Sequence, residues 1–340
     1  MPRSYWIFPV FLPNAGCRRL CAFCDQHAVT GQAVPLPKLS QLDALFEKVW
    51  VSGKRRPNHR SVRQIAFYGG NFSGLPMSVQ KRYLDWAAGK VVAGKVQSIR
   101  FSTRPDALGK GERAFLRGYP TRTVEVGLQS LSNAVLMAAR RGHTAEDGER
   151  AVQDIKAEGW EAGVQLMPGL PGETRESFLK GVSQLCRWGV RFVRLYPAVV
   201  LRGTALEREM TLNVFNPLSL DVAVEWCARA CEVLEASGIE VIRVGLPASR
   251  HLSATVVAGP YHPAFGFLVQ SFRFHERLRA KIAALPKAAK EIRISLPPKD
   301  LPLLMGDHRE AWDALRSAFP ERGFTYVTDP RVKDPQIAYG

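Results

Sequence analysis

Cys17-Arg18-Arg19-Leu20-Cys21-Ala22-Phe23-Cys24 follows, across the short link Pro13-Asn14-Ala15-Gly16, the apolar stretch Tyr5-Trp6-Ile7-Phe8-Pro9-Val10-Phe11-Leu12. The apolar stretch reads as a first, buried strand rather than a targeting segment, because Pro9 and Pro13 interrupt it. Three thiols therefore crowd into a loop at the C-terminal end of a strand, where open α/β sheets gather ligand-binding groups. Outward from this loop, apolar runs at 64–68, 98–102, 123–129, 161–167, 192–200 and 240–244 read as further strands. Helical patterns at 39–51, 77–87, 145–158, 174–188 and 220–237 separate most of them. Thr144 ahead of Ala145-Glu146-Asp147 reads as an N-cap with acids in the first turn, and Gly159 and Gly238 each follow a helix as C-terminal glycines.

Strands alternating with helices imply right-handed βαβ units and a parallel sheet. About six such units by Val200 are too few for a closed eight-fold barrel. The expected fold is α/β: a partial (β/α)6 TIM-like barrel over residues 1–246, with a small C-terminal α+β appendage over 247–340. In the appendage a helix is expected at 270–285, a strand at 291–296, a helix at 309–319 and a strand at 324–328. The segment Lys299 to Arg309, with Gly306 between a strand and a helix, is faintly similar to the glycine loop of RNA-binding KH modules.

The chain has 340 residues and a formal charge of +16. Its apolar and charged fractions describe a globular protein, and no stretch approaches about 18 uninterrupted apolar residues, so no membrane span is expected. The expected location is the cytoplasm. Basic residues recur along the chain, with concentrations at Arg18-Arg19, Lys54-Arg55-Arg56, Arg60 and Arg63; such an excess favours a polyanionic partner, nucleic acid first. Of the six cysteines, Cys186, Cys227 and Cys231 sit in apolar helical patterns and read as buried small hydrophobes. A disulfide framework would spread its cysteines more evenly.

The clustered thiols bear the chemistry. Thiolates are the usual ligands of iron–sulfur clusters, and a four-iron cube normally takes four of them. Cys17, Cys21 and Cys24 would leave one iron without a protein ligand, open to another molecule. Cys17, Cys21, Cys24 and His27 also suit a structural Cys3His zinc site. Tyr68-Gly69-Gly70-Asn71-Phe72-Ser73 ends a strand, and its paired glycines let backbone approach a ligand closely. Glu125 and Gln129 fall on one strand with period two, so both can face a barrel interior.

The C-x3-C-x2-C spacing resembles the signature of the radical S-adenosylmethionine (SAM) superfamily. The chain is most similar to its Elongator catalytic-subunit-like branch, through Tyr68 to Ser73, Ser102-Thr103-Arg104-Pro105-Asp106, Glu125 to Ser130, Arg140-Arg141-Gly142-His143-Thr144 and Gln165 to Gly172. Arg194-Leu195-Tyr196-Pro197, Gly203 to Leu206 and Ala258 to Gly266 extend the likeness. Asn71 departs from the threonine usual in that branch.

The resemblance implies a 4Fe–4S cluster on Cys17, Cys21 and Cys24, with Phe23 near the SAM adenine. It implies that Gly69 and Gly70 meet the SAM amino group and that Ser102 and Thr103 meet its amino-acid part. Gln129 and Gln165 would lie near the ribose, and Arg141 would pair with the carboxylate. No acetyltransferase domain and no basic N-terminal extension accompany the likeness, so acetyl transfer is not expected. The implied activity is reductive SAM cleavage to a 5′-deoxyadenosyl radical, with ferredoxin or flavodoxin as electron donor. The expected substrate is a tRNA or other RNA base. A small anionic molecule of tetrapyrrole type, and a non-catalytic zinc-stabilised RNA-binding module, are the alternatives.

Overall fold

The computed structural model describes residues 5–17, 21–26, 29, 36–52 and 61–340. The chain divides into two compact units, one of Met1–Ala223 with Ala230–Pro263, the other of Val224–Arg229 with Ala264–Gly340.

The first unit is built on parallel strands with intervening helices. In chain order these are β1 (Tyr5–Phe11), α1 (Leu39–Val51), β2 (Val62–Tyr68), α2 (Met77–Val92), β3 (Ser98–Thr103), α3 (Lys110–Leu116), β4 (Thr121–Gln129), α4 (Asn133–Ala138), α5 (Ala145–Ala157), β5 (Glu161–Leu166), α6 (Arg175–Leu185) and β6 (Phe192–Leu195). The two-residue β7 (Val200–Leu201), α7 (Ala205–Thr211), α8 (Leu220–Ala236), β8 (Glu240–Val244), α9 (Arg250–Thr255) and β9 (Val256–Ala258) follow. The sheet order is β1-β2-β3-β4-β5-β6-β8, every pair parallel, so the sheet is an open partial barrel.

The partial-barrel expectation holds, with β8 adding a seventh parallel strand beyond the six βα units. The strand expected over 192–200 stops at Leu195, because Pro197 has no N–H to give a ladder. The chain resumes as β7, which pairs antiparallel with β9.

Apolar continuity explains why these strands are central. Ile65, Ala66 and Phe67 of β2 and Val124 and Val126 of β4 are fully buried, as strands covered on both faces must be. Outside β1, Phe8 meets Phe46 of α1 edge-on at 5.0 Å, and Phe46 meets Trp86 of α2 at 6.2 Å. The other layer includes buried polar groups: the Gln64 amide donates to Ser98 Oγ at 3.1 Å and Thr123 Oγ1 at 3.0 Å.

Local signals place the helices. Thr144 Oγ1 accepts the Asp147 N–H, while the Asp147 carboxylate accepts the Thr144 N–H, a reciprocal cap on α5. Gly159 and Gly238 close α5 and α8 with φ of 75° each. Cys227 and Cys231 are buried, and all six cysteines are free thiols.

The second unit contains α10 (Phe265–Ala283), β10 (Glu291–Leu296), α11 (Leu301–Met305), α12 (Glu310–Ser317), β11 (Gly323–Thr328) and β12 (Gln336–Tyr339). Its sheet order is β11-β10-β12, with β12, a strand not anticipated from sequence, antiparallel to β10. Phe274, Leu278, Ile292, Ile294, Leu296, Trp312 and Leu315 form its core. Gly306 sits not in a strand-to-helix loop but between α11 and α12, next to a tight turn in which His308 and Arg309 take positive φ. The strand-to-helix placement expected of Gly306 therefore does not hold. Among the described residues no helix is long and apolar enough to cross a membrane. The basic positions Arg18, Arg19, Lys54, Arg55, Arg56 and Arg60 lie outside the described residues, as does His27.

Candidate functional site

Three strand-end loops are tied together before any ligand is considered. Leu12 N–H donates to Tyr68 O at 2.7 Å, Asn14 N–H to Gly69 O at 2.8 Å, and Asn71 N–H to Ala15 O at 2.8 Å. A side chain at Gly70 would place its Cβ 2.5 Å from Ala15 O and 2.6 Å from Leu12 O. The second glycine of the pair is thus required by the approach of the cysteine-bearing loop, a closeness that only a missing Cβ permits. Asn71 extends the tie: its amide donates to Gly16 O at 3.1 Å, and its Oδ1 accepts from Thr103 Oγ1 at 3.0 Å and Arg104 N–H at 3.1 Å. The amide at Asn71 therefore joins the ends of β1, β2 and β3. Ser73 Oγ and Thr103 Oγ1 form a further short contact.

The cysteine loop is held from both sides by backbone. Ala22 N–H donates to Ala139 O at 3.1 Å, and Ala22 O accepts from Leu206 N–H at 2.8 Å. Cys24 N–H closes a turn onto Cys21 O at 3.1 Å. Arg141 Nη1 lies 2.9 Å from Cys21 Sγ, and Arg104 Nη1 lies 4.0 Å from the same sulfur. Burial, then the neighbouring Cys21 and Cys17, pushes the Cys24 thiol up to about 12. Cys17 is raised by burial and Cys21, with Arg104 and Arg141 opposing. Such crowded thiols become thiolates only when a cation compensates them.

Arg141 is itself positioned. Its Nε donates to His143 Nε2 at 3.2 Å and its Nη2 to Gly127 O. Burial, then the Arg141 charge, holds the His143 imidazole down at about 4, so near neutrality the ring is uncharged and can accept.

Deeper in the barrel, the Gln165 amide donates to Gln129 Oε1 at 3.0 Å. Gln129 has φ of 75°, at a register shift in the β4–β5 pairing between Gly127 and Gln129. Beside them, Glu125 accepts from Arg194 Nε at 2.6 Å and Nη2 at 3.3 Å, and from Tyr68 OH at 2.8 Å. Arg100 Nη1 lies 3.4 Å from the same carboxylate. Burial alone would raise the Glu125 carboxyl, but Arg194 and Arg100 more than offset it and hold it below its ordinary range. Glu173 accepts from Ser130 Oγ at 2.7 Å and Gly169 N–H at 2.9 Å, joining the loops after β4 and β5. Burial, opposed by those bonds, pushes the Glu173 carboxyl up to about 7.

The cysteines, Arg104, Arg141, Gln129, Gln165, Glu125 and Arg194 open onto one cavity of about 340 Å³ at the C-terminal ends of the strands. Its size falls in the range of small-molecule sites. Every residue expected from sequence lines it: Cys17, Cys21, Phe23, Cys24, Gly69, Gly70, Ser102, Thr103, Gln129, Arg141 and Gln165. Tyr68, Arg104, Arg194, Tyr196 and Arg243 line it too, and sequence had given them no role. Arg104 adjoins Thr103 at a strand end, and Arg194 and Arg243 alternate inward along theirs, so strand period was the available signal.

Among the described residues no three His, Cys, Asp or Glu side chains converge closely enough to hold a single metal ion. A four-iron cube takes its thiolates on different irons, so its ligands need not meet at one point. Three thiols, two guanidinium groups beside Cys21 and an adjoining ligand-sized cavity fit a cluster with an open iron.

Comparison with known proteins agrees. The tRNA uridine(34) acetyltransferase of Methanocaldococcus jannaschii is 28% identical over 188 residues, 54% of this chain and 34% of that protein. The heme chaperone HemW of Mycobacterium tuberculosis is 24% identical over 212 residues, 60% of this chain and 52% of its own. The solved structure of Methanocaldococcus infernus Elp3 with an N-terminal deletion shares the fold, with a TM-score of 0.61 at 21% identity, covering 81% of this chain and 64% of that one. The chain spans about a third of the length of the curated acetyltransferases it matches. Residues 190–273 match the radical SAM C-terminal domain, and residues 11–184, half of the chain, match the radical SAM superfamily itself. The chain belongs to the radical SAM superfamily.

Proposed function

We propose that this protein is an enzyme that holds a 4Fe–4S cluster on Cys17, Cys21 and Cys24, binds SAM across the strand ends and modifies an RNA base, tRNA foremost. One observation carries the reading: eleven residues from six separate chain segments, each expected from the family pattern, line a single cavity. When bound, the cluster and SAM supply a 5′-deoxyadenosyl radical by one-electron cleavage of the sulfonium, and the radical abstracts hydrogen from an unactivated C–H.

The chain's own residues do the positioning. Arg141, steadied by neutral His143 and by Gly127 O, would take the SAM carboxylate, for which a guanidinium fork is suited. Gly69 and Gly70 would present backbone to the amino group, with Ser102 and Thr103 beside it. Gln129 and Gln165, already bonded to each other, would meet the ribose, and Phe23 would lie against the adenine. The buried apolar residues around Phe23, among them Met167, Leu170 and Phe215, exclude water from this end. Ferredoxin or flavodoxin would supply the electron, in the cytoplasm.

RNA as substrate rests on the charge of +16 and on the acetyltransferase relative, which acts on tRNA uridine. A small anionic substrate is the second reading, favoured by the arginines that line the cavity and by the HemW relative. Affinity for RNA that falls steeply with salt supports the first.

Anaerobic reconstitution with iron and sulfide is the direct test. Broad absorption near about 400 nm is expected from a thiolate-ligated cluster, and reduction in the presence of SAM should release 5′-deoxyadenosine. Cys21→Ala should lose both. A wild-type protein that stays colourless overturns the proposal.

A further inference from the structure

The part of the cavity lined by β6 and β8 holds more positive charge than its one carboxylate can balance. Arg194 of β6 and Arg243 of β8 are register partners on adjacent parallel strands, and both line the cavity. Side-by-side cations repel, and a fold that keeps them must offset the repulsion. Glu125 does so for Arg194, through two of its nitrogens, but it also serves the fully buried Arg100. Arg194 Nη1 is turned to Tyr196 OH, at 3.3 Å. Arg243 is exposed; its Nε donates to Gly245 O at 3.3 Å, and it forms no ion pair among the described residues. The cavity's other carboxylate, Asp25, belongs to the cysteine loop. Two guanidinium groups thus share this one carboxylate, and the third, on Arg243, has none.

We infer that the β6–β8 end is a subsite for an anionic group of the substrate, a phosphate or a carboxylate. Arg243 is its principal ligand, with Tyr196 OH and Arg194 Nη1 beside it. The inference rests on the reading of the cysteine loop as the cluster and SAM site, where Arg141 beside Cys21 serves the carboxylate of SAM. A guanidinium suits either anion, since its fork matches both geometries.

Binding of three probes to the reconstituted, SAM-bound protein at constant ionic strength tests this. Uridine 5′-monophosphate carries the phosphate, glutarate carries carboxylates, and uridine carries no charge. One anionic probe should bind at least about tenfold more tightly than uridine. Arg243→Met should remove that preference, Arg243→Lys should keep part of it, and Arg316→Met, on the exposed surface of the second unit, should leave it intact. Preference for the nucleotide identifies a phosphate-bearing substrate, and preference for glutarate a small acid; either supports the subsite.

Three results overturn it: no anionic preference up to about 10 mM probe, an undiminished preference in Arg243→Met, or equal losses in Arg243→Met and Arg316→Met. Cluster absorbance and 5′-deoxyadenosine release are read on the same wild-type samples. Their absence counts against the proposed function, whereas a failed anion preference with both present counts against the subsite alone. Unchanged absorbance and circular dichroism in Arg243→Met exclude misfolding as the cause.

Discussion

Replacing Glu125 by glutamine removes one charge and almost no volume from the barrel interior. The carboxylate is 5% exposed, and Arg194, Arg100 and Tyr68 all converge on it. Glutamine can still accept from Arg194, but it leaves the buried Arg100 and the half-buried Arg194 without a counter-ion. Removing one partner of a buried ion pair costs about 3–5 kcal/mol. Retained hydrogen bonding places Glu125→Gln near the lower end, about 3 kcal/mol, or a fall in Tm of about 6–12 °C for a unit of this size.

Urea and thermal unfolding followed by circular dichroism measure the change. Glu125→Gln combined with Arg194→Met removes both members of the pair and should be less destabilised than the sum of the single variants, because the two share one interaction. The pH sign is fixed by the depressed carboxyl. Its stabilisation is present above the unfolded value near 4.5 and is lost as pH falls through the lower folded value. The gap between wild type and Glu125→Gln should therefore close in acid. A Glu125→Gln protein within about 0.5 kcal/mol of wild type at pH 7, or strict additivity in the double variant, refutes the reasoning.

Two further outcomes follow from the site. Gly70→Ala drives a Cβ into backbone oxygens at 2.5 and 2.6 Å, an overpacking expected to cost about 1–3 kcal/mol and to lower the iron bound per chain after reconstitution. Gly89→Ala, with nothing within 4 Å of its Cβ in α2, should stabilise and serve as control. For Glu173, whose carboxyl is raised to about 7, the stabilisation of the protonated form is complete below about 4.5 and is lost as pH rises through 7. Glu173→Gln should flatten unfolding stability across that window, and a wild-type slope retained in the variant would remove Glu173 as its source.

Much of this was legible in the chain because it is local. Burial imposes a period of two on strands and 3.6 on helices, so the strand–helix alternation can be read without partners. The limits of α1 and β10 and the capping residue of α5 were read directly, since caps and glycines act within a few residues. Helices α3, α4 and α7, each of six or seven residues, left too short a periodic signal. The terminal strand β12 was missed because pairing with β10, not its own pattern, makes it a strand.

The sequence by itself determined that three closely spaced thiols end the first strand of a parallel α/β sheet, and which strand-end residues accompany them. Only the tertiary structure decided what those residues touch. Arg141 reaches Cys21 across 120 positions and Arg194 reaches Glu125 across 69. Such pairs depend on strand register, and the β4–β5 and β6–β8 pairings each contain a shift that reassigns neighbours. A shift of one residue turns a side chain to the other face of a sheet. Gly70 illustrates the division. Its sequence context marks a close approach, and the fold shows that what comes close is the backbone of the cysteine loop.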